Sequence, residues 1–392
     1  MDTKIYKEFN AQTINELGAR LREGQLVAIP TETVYGLGAN GLDEAAMSRI
    51  YEAKGRPSDN PLILHVPNSE AVIPLVKNVP PVAQALMEAF WPGPLTIIMP
   101  KSDRVPLRAT GGLPNVALRC PDHEICHNIL KAAGVPIAAP SANISGRPSP
   151  TTAEDVYRDM KGRIEAIADA GPCEVGLEST IVECHSGGVT ILRPGAITKD
   201  MLEEVVGQVD FDEALTAPDV TPKAPGMKYK HYAPDANLIT LVGPVLEVTR
   251  TLGLILETRG RFASCLKHYY EPEGCCIMTD PISDALVELR KLVIPFGADE
   301  KIGLLLSEEV AHELKGTLKN LSVPYHLIVY GKAHEYKSLA RILYRSLLEF
   351  NEQKVTRIFA TGVEAKGLGK AIMNRLDKAS AHHVIQVEPY TS

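Results

Sequence analysis

The chain has 392 residues, a length that fits two or three domains of roughly 150 residues each, two being favoured. Hydrophobic residues make up 45% and charged residues 23%, the balance of an ordinary globular protein and one that argues against long disorder. Forty-one Lys and Arg stand against 48 Asp and Glu, a net charge of −7. That sign speaks against holding nucleic acid by general phosphate attraction, although a local basic patch can still bind a small anion.

No run approaches the roughly 18 apolar residues of a membrane span, and the N-terminus MDTKIYKEFNAQTINELGAR has no apolar signal region. The seven cysteines are scattered and form no CxxC, which fits reduced thiols and a cytoplasmic protein better than a disulfide framework.

Along the first 200 residues, short apolar runs read as strands: 28–30, 62–66, 95–99, 116–119, 136–140 and 180–183. Helical patterns lie between them at 14–24, 43–55, 81–90 and 123–134, the last stopped by Gly134 and Pro136. This alternation predicts an α/β domain with a mixed sheet over 1–206. From 207 to 237 the periodicity fades, which predicts a linker or a functional lid. Within it KAPGMKYKHY (223–232) holds three lysines, a histidine and two tyrosines without an acid. That composition suits an anionic, ring-bearing ligand. Beyond 238, the runs LITLVG, CCIMTD, KIGLLLS, HLIVYG and RIFATG and a helical face at 338–353 predict a smaller, doubly wound α/β domain over 238–392.

Three groups of residues carry the chemical signal. PTETVYGLG (30–38) puts two hydroxyls and a carboxylate at a strand exit, where α/β sheets commonly bind ligands. Lys54 and Arg56 follow a helix and precede the stiff loop RPSDNP; they are either ordinary helix C-terminal cations or a phosphate site made of a point charge and a fork. PSANISGRPSPTT (140–152) crowds hydroxyls and amides between a strand and a helix, with Thr151 or Thr152 as the helix cap. Arg119 and Arg193 close two further strands, and Ser179 and Thr180 open another. With Arg56 they predict a convergent cationic site. His65, inside the strand LILHV, reads on its own as a core residue. CPDHEICH (120–127) fits no zinc spacing and reads as helix core. GLGKAIMNR (367–375) lacks the P-loop spacing, and no GxSxG occurs.

Taken together, PTETVYGLG, KGRPSDNPL, WPGPLT, VALRCP, PSANISGRPSPT, GLESTIV and LRPGAIT closely resemble the YrdC/Sua5 family. PGMKYKHYAP and the C-terminal half are similar to the extra domain of its longer, Sua5-type members. The resemblance implies a YrdC-like open, twisted mixed sheet with a concave basic face, followed by a Rossmann-like domain. It implies threonylcarbamoyl-AMP synthesis from L-threonine, bicarbonate and ATP, with Mg²⁺ accompanying ATP and no protein metal ligands named. The product would pass to threonylcarbamoyl-transferase proteins that modify tRNAs reading codons beginning with A, so contact with tRNA is indirect and no membrane is involved. The implied catalytic tetrad is Lys54, Arg56, Ser141 and Asn143. Implied threonine contacts are Thr33, His65, Arg119 and Ser179; implied ATP contacts are Arg56, Asn60, Asn115, Ser141, Ser149, Arg193 and Tyr232. Two other readings are a double-stranded RNA-binding module and a carbamoyl-adenylate-forming enzyme of the hydrogenase-maturation type.

Overall fold

A computed structural model describes residues 2–185, 188–215, 232–258, 296–297 and 299–387. The chain forms two compact units, Met1–His231 and Tyr232–Ser392, and the division between them falls inside the segment 207–237.

In the first unit the strands are β1 Lys4–Tyr6, β2 Val27–Ile29, β3 Gly36–Asn40, β4 Ile63–His65, β5 Leu95–Pro100, β6 Asn115–Arg119, β7 Ile137–Ala138, β8 Ala166–Ala168, β9 Thr180–His185, β10 Gly188–Arg193 and β11 Val209–Phe211. Among the described residues they form one mixed sheet in the order β1-β8-β2-β3-β7-β4-β6-β5-β9-β10-β11. The helices start and stop where the sequence supplies caps. Asn10, Asp43, Thr152 and Thr198 accept from first-turn N–H groups, while Gly55, Gly111 and Gly134 end helices in the left-handed conformation.

Two features escaped the sequence reading. β3 is the glycine-rich GLGAN, which lies outside the apolar runs read as strands. Its small residues serve close packing: a Cβ on Gly38 would lie 3.0 Å from both Leu21 Cδ2 and Val27 O. β11 lies inside the expected linker, yet it pairs in parallel with β10.

One face of this sheet is closed by the helices Glu44–Lys54, Pro81–Phe90, Ala153–Met160 and Lys199–Val206, with Met47, Leu86, Val156 and Leu202 in the core. The other face is closed only at one end. There the helices Ala11–Arg22 and Glu124–Ala133 pack Leu17, Leu21 and Ile129 on Val27, Ile29 and Ile137. The remaining strands bear the small apolar patch Ile63, Ile98, Ala117, Ile181 and Leu192, to which no described helix contributes. Strand side chains alternate faces, so His65 and Arg119 stand on this open face with Ile63 and Ala117; Arg193 follows an irregularity after Ile191 and pairs with Ile181 of the same face.

The second unit is built on β12 Asn237–Val242, β13 Ile302–Leu306, β14 Tyr325–Val329, β15 Arg357–Thr361 and β16 Val384–Gln386. Among the described residues these form an all-parallel sheet in the order β14-β13-β15-β12-β16. β13 reads IGLLL and is buried throughout, as a strand covered on both faces should be. The helix expected at 338–353 spans Tyr336–Glu352. The expected strand CCIMTD lies outside the described residues, as does 223–231 of the basic segment. No helix among the described residues is long and apolar enough to cross a membrane.

Candidate active site

The loops that leave these strands are stitched to one another by backbone hydrogen bonds. Leu37 N donates to Pro140 O at 2.6 Å and Ala142 N to Tyr35 O at 2.8 Å, which zips PTETVYGLG to the PSAN loop. Tyr35 N donates to Pro150 O at 2.9 Å, and Val175 N to Glu32 O at 2.8 Å. Segments far apart in the chain thus converge on the open face.

Lys54 is the last residue of its helix and is buried. Its Nζ donates to Ser141 O and Asn143 O, each at 2.6 Å. Ser141 Oγ donates to Asn143 Oδ1 at 2.6 Å, and Asn143 Nδ2 donates to the carbonyls of Ile144 and Arg147, each at 2.8 Å. Lys54, Ser141 and Asn143 therefore form one hydrogen-bonded unit, with Lys54 clamping the loop backbone. Burial pushes the Lys54 ammonium well below its ordinary range, with Arg56 adding to the effect. Asp159, which the sequence reading missed, accepts from Ile144 N at 3.0 Å and contacts Arg147 Nη1 at 2.6 Å.

Along the helix-free strands, His65 and Arg119 are register partners. Both are buried. Burial, then the Arg119 charge, lowers the His65 pKa to about 3, so the imidazole is neutral. Ser179 Oγ shares a 2.7 Å hydrogen bond with Thr96 Oγ1. Arg193 donates through Nε to Ser179 O and through Nη2 to Ser179 Oγ, both at 3.1 Å. Thr33 Oγ1 pairs with Thr31 Oγ1 at 2.8 Å. Ser149 Oγ donates to Glu178 Oε1 at 2.6 Å. Asn60 Nδ2 is buried with no hydrogen-bond partner among the described residues, while Tyr51 Oη donates to Asn60 O at 2.7 Å.

Asn115 Nδ2 donates to Glu183 Oε1 at 3.2 Å. These two residues border a cavity of about 200 Å³ whose walls include Pro61, Ile98, Leu113 and Ala117. Tyr232 opens the second unit, where it stacks on Tyr344 with ring centroids 5.1 Å apart.

The carboxylates Glu32 and Glu178 are both buried, and neither was assigned a role from sequence. Glu32 contacts Arg119 Nη2 through Oε2 at 2.6 Å. The available signal was a carboxylate inside each motif, in PTET and in GLEST. CPDHEICH is helix entry and core: His123 caps Glu124–Ala133, and Cys120 and Cys126 are buried. Among the described residues no three His, Cys, Asp or Glu side chains are grouped to hold a metal ion.

Comparison with known proteins follows the same division of the chain. A Sua5/YciO/YrdC profile described as telomere recombination matches residues 19–195. A profile described as the threonylcarbamoyl-AMP synthase C-terminal domain matches residues 197–381. Threonylcarbamoyl-AMP synthase of Pyrococcus abyssi is 40% identical over 94% of this chain and 94% of its own. The enzyme of the same name from Bacillus subtilis is 40% identical over 96% and 95%. A crystal structure of P. abyssi Sua5 complexed with L-threonine superposes with a TM-score of 0.81 at 38% identity, covering 99% of both chains. The chain belongs to the Sua5/YrdC family of threonylcarbamoyl-AMP synthases, in the long form that carries a Sua5 C-terminal domain.

Proposed function

We infer that the open face of the first unit condenses L-threonine, bicarbonate and ATP into threonylcarbamoyl-AMP, pyrophosphate and water. The observation that supports this most is the pairing of two buried arginines, Arg119 and Arg193, with His65 and Ser179 on the helix-free strands. Two buried cations on one face suit a substrate set of one carboxylate and one triphosphate. Arg119 is the partner for the threonine carboxylate, with Thr33, His65 and Ser179 around the side chain. Arg193 and Arg56 face the phosphates, and Asn60, Ser141 and Ser149 orient them. The apolar cavity beside Asn115 suits the adenine base.

In this reading the threonine amine adds to bicarbonate to give a carbamate. A carbamate oxygen then forms a bond to the α-phosphorus as the bond to pyrophosphate breaks. Such a displacement gains chiefly from alignment and charge stabilisation. The clamped Lys54–Ser141–Asn143 unit supports alignment, since a loop held by three side chains cannot wander. Ser149 and Glu178, hydrogen-bonded to one another at 2.6 Å, would be the oxygen donors to Mg²⁺ brought with ATP, which would add charge neutralisation on the phosphates. The acyl-adenylate is released in the cytoplasm to threonylcarbamoyl-transferase proteins, and tRNA is reached only through them. The test is pyrophosphate release from ATP. It requires both threonine and bicarbonate; a rate unchanged without threonine refutes the reading.

A further inference from the structure

A free amino acid brings two charges to its pocket. The residues assigned to threonine above offer a guanidinium, a neutral imidazole and hydroxyls, which serve the carboxylate and the side-chain hydroxyl. None is an anion. The ammonium end still lacks a partner, and its chemistry is the more demanding, because nitrogen must lose a proton before it can bond to carbon.

Glu32 is the carboxylate at this place. It precedes Thr33, is 6% exposed, and has its Oε2 at 2.6 Å from Arg119 Nη2. Arg119 occupies Oε2, while Oε1 is buried with no hydrogen-bond partner among the described residues, and a ligand's N–H group would supply one. Its backbone is fixed, since Glu32 O accepts from Val175 N at 2.8 Å.

The other titratable groups near Glu32 are poor proton acceptors. Arg119 and Cys120 approach from the end of β6, His123 and Cys126 from the helix Glu124–Ala133, and Cys173 from the loop before β9. Burial raises all three thiols, Cys120 to about 11, so they stay protonated. His123 is lowered by burial, and its Nδ1 accepts from Cys126 N at 3.4 Å. His65, beside Arg119, is held neutral and is a weak base. Asp122 and Glu174 also act on His123, raising its pKa.

We propose that Glu32 binds the α-ammonium of L-threonine and takes its proton after the substrate carboxylate has replaced it on Arg119. With the threonine carboxylate on Arg119, the Glu32 carboxylate is left to the substrate ammonium. One N–H bond then breaks, its electron pair stays on nitrogen, and the proton goes to a Glu32 oxygen. The nitrogen lone pair forms the N–C bond to bicarbonate carbon. The hydroxyl of that carbon leaves with a second amine proton as water. Glu32 returns its proton to solvent after product release.

This deepens the functional reading and rests on threonine as the substrate with Arg119 as its carboxylate partner. The experiment measures threonine-dependent pyrophosphate release at saturating ATP and bicarbonate from pH 6.5 to 9, for the full chain and for Glu32→Gln and Glu32→Asp. At pH 7, Glu32→Gln lowers kcat by roughly 10²–10⁴-fold, the usual contribution of a general base. Its rate then climbs about tenfold per pH unit as solution removes the amine proton that Glu32 no longer takes. Glu32→Asp retains the wild-type pH profile at a reduced rate. Wild-type kcat in Glu32→Gln, or a loss that raising the pH leaves flat, overturns the proposal. If Glu32→Gln does not fold, Glu32→Asp decides: a tenfold or greater fall in kcat with unchanged KM for ATP supports it, and wild-type kcat overturns it. Pyrophosphate release by wild type that ignores threonine would instead sink the functional reading.

Discussion

At the scale of single residues, burial sets the chemistry. His65 is neutral in the fold with a pKa near 3, whereas its ordinary value is 6.5. Its folded value is depressed, so the stability it contributes is fully present above pH 6.5 and is lost as pH falls from 6.5 toward 3. The slope from this one group reaches about 1.4 kcal/mol per pH unit. Urea unfolding across that range should show this slope in wild type and lose it in His65→Gln; equal slopes would show that His65 ionises normally in the fold. Lys54 makes a second case. The sequence presented it as a phosphate cation, but its Nζ lies against the carbonyls of Ser141 and Asn143. Lys54→Ala strands two buried acceptors, at about 1–3 kcal/mol each. Turnover and melting temperature should therefore fall together, by orders of magnitude in kcat and by several degrees. An inactive variant with wild-type melting would return Lys54 to a purely chemical role. Arg119 and Arg193 could be named from sequence because each closes a strand before a breaker. Glu32 could not be given a role, because Arg119 is its partner only after β6 and the PTET loop have been brought together by the sheet.

Secondary-structure elements carry this assembly. The strands β4, β6, β9 and β10 were legible as runs, and their register, with the irregularity after Ile191, puts His65, Arg119 and Arg193 on one face. The register itself was not legible, since each run pairs with strands distant in the chain. β3 was hidden for another reason. GLGAN has the composition of a turn, and only the closeness of Leu21 and Val27 explains why a strand there must be glycine-rich. Gly195, in the segment after β10, is equally constrained. A Cβ there would collide with Thr180 N and lie 2.7 Å from Thr180 Oγ1. Thr180 Oγ1 in turn donates to Ile197 O at 2.7 Å, and Ser179 is its neighbour. Gly195→Ala should displace the Ser179–Arg193 pair and raise KM for threonine severalfold, with about 1–3 kcal/mol of lost stability from overpacking. Wild-type kinetics in that variant would show that the start of β9 can yield without disturbing the site.

Across the whole molecule, a net charge of −7 coexists with a site built around buried cations. The acidic total keeps polyanions at a distance, while Arg119 and Arg193, each closed off from bulk solvent, serve small anions at short range. The two-unit division was legible from the change in pattern after residue 206. The boundary was less so, because β11 extends the first sheet into the expected linker. A chain of this charge should act on tRNA through a small product, so gel shifts at physiological salt should show no tight complex with double-stranded RNA. The central claim is that one face of the first unit joins threonine, bicarbonate and ATP. Mass spectrometry of the products formed with ¹³C-bicarbonate tests it most directly. A threonylcarbamoyl-AMP ion carrying the label is expected, lost when threonine is omitted and in Arg119→Ala. An unlabelled adenylate, or AMP and pyrophosphate formed without any labelled acyl-adenylate, would contradict it.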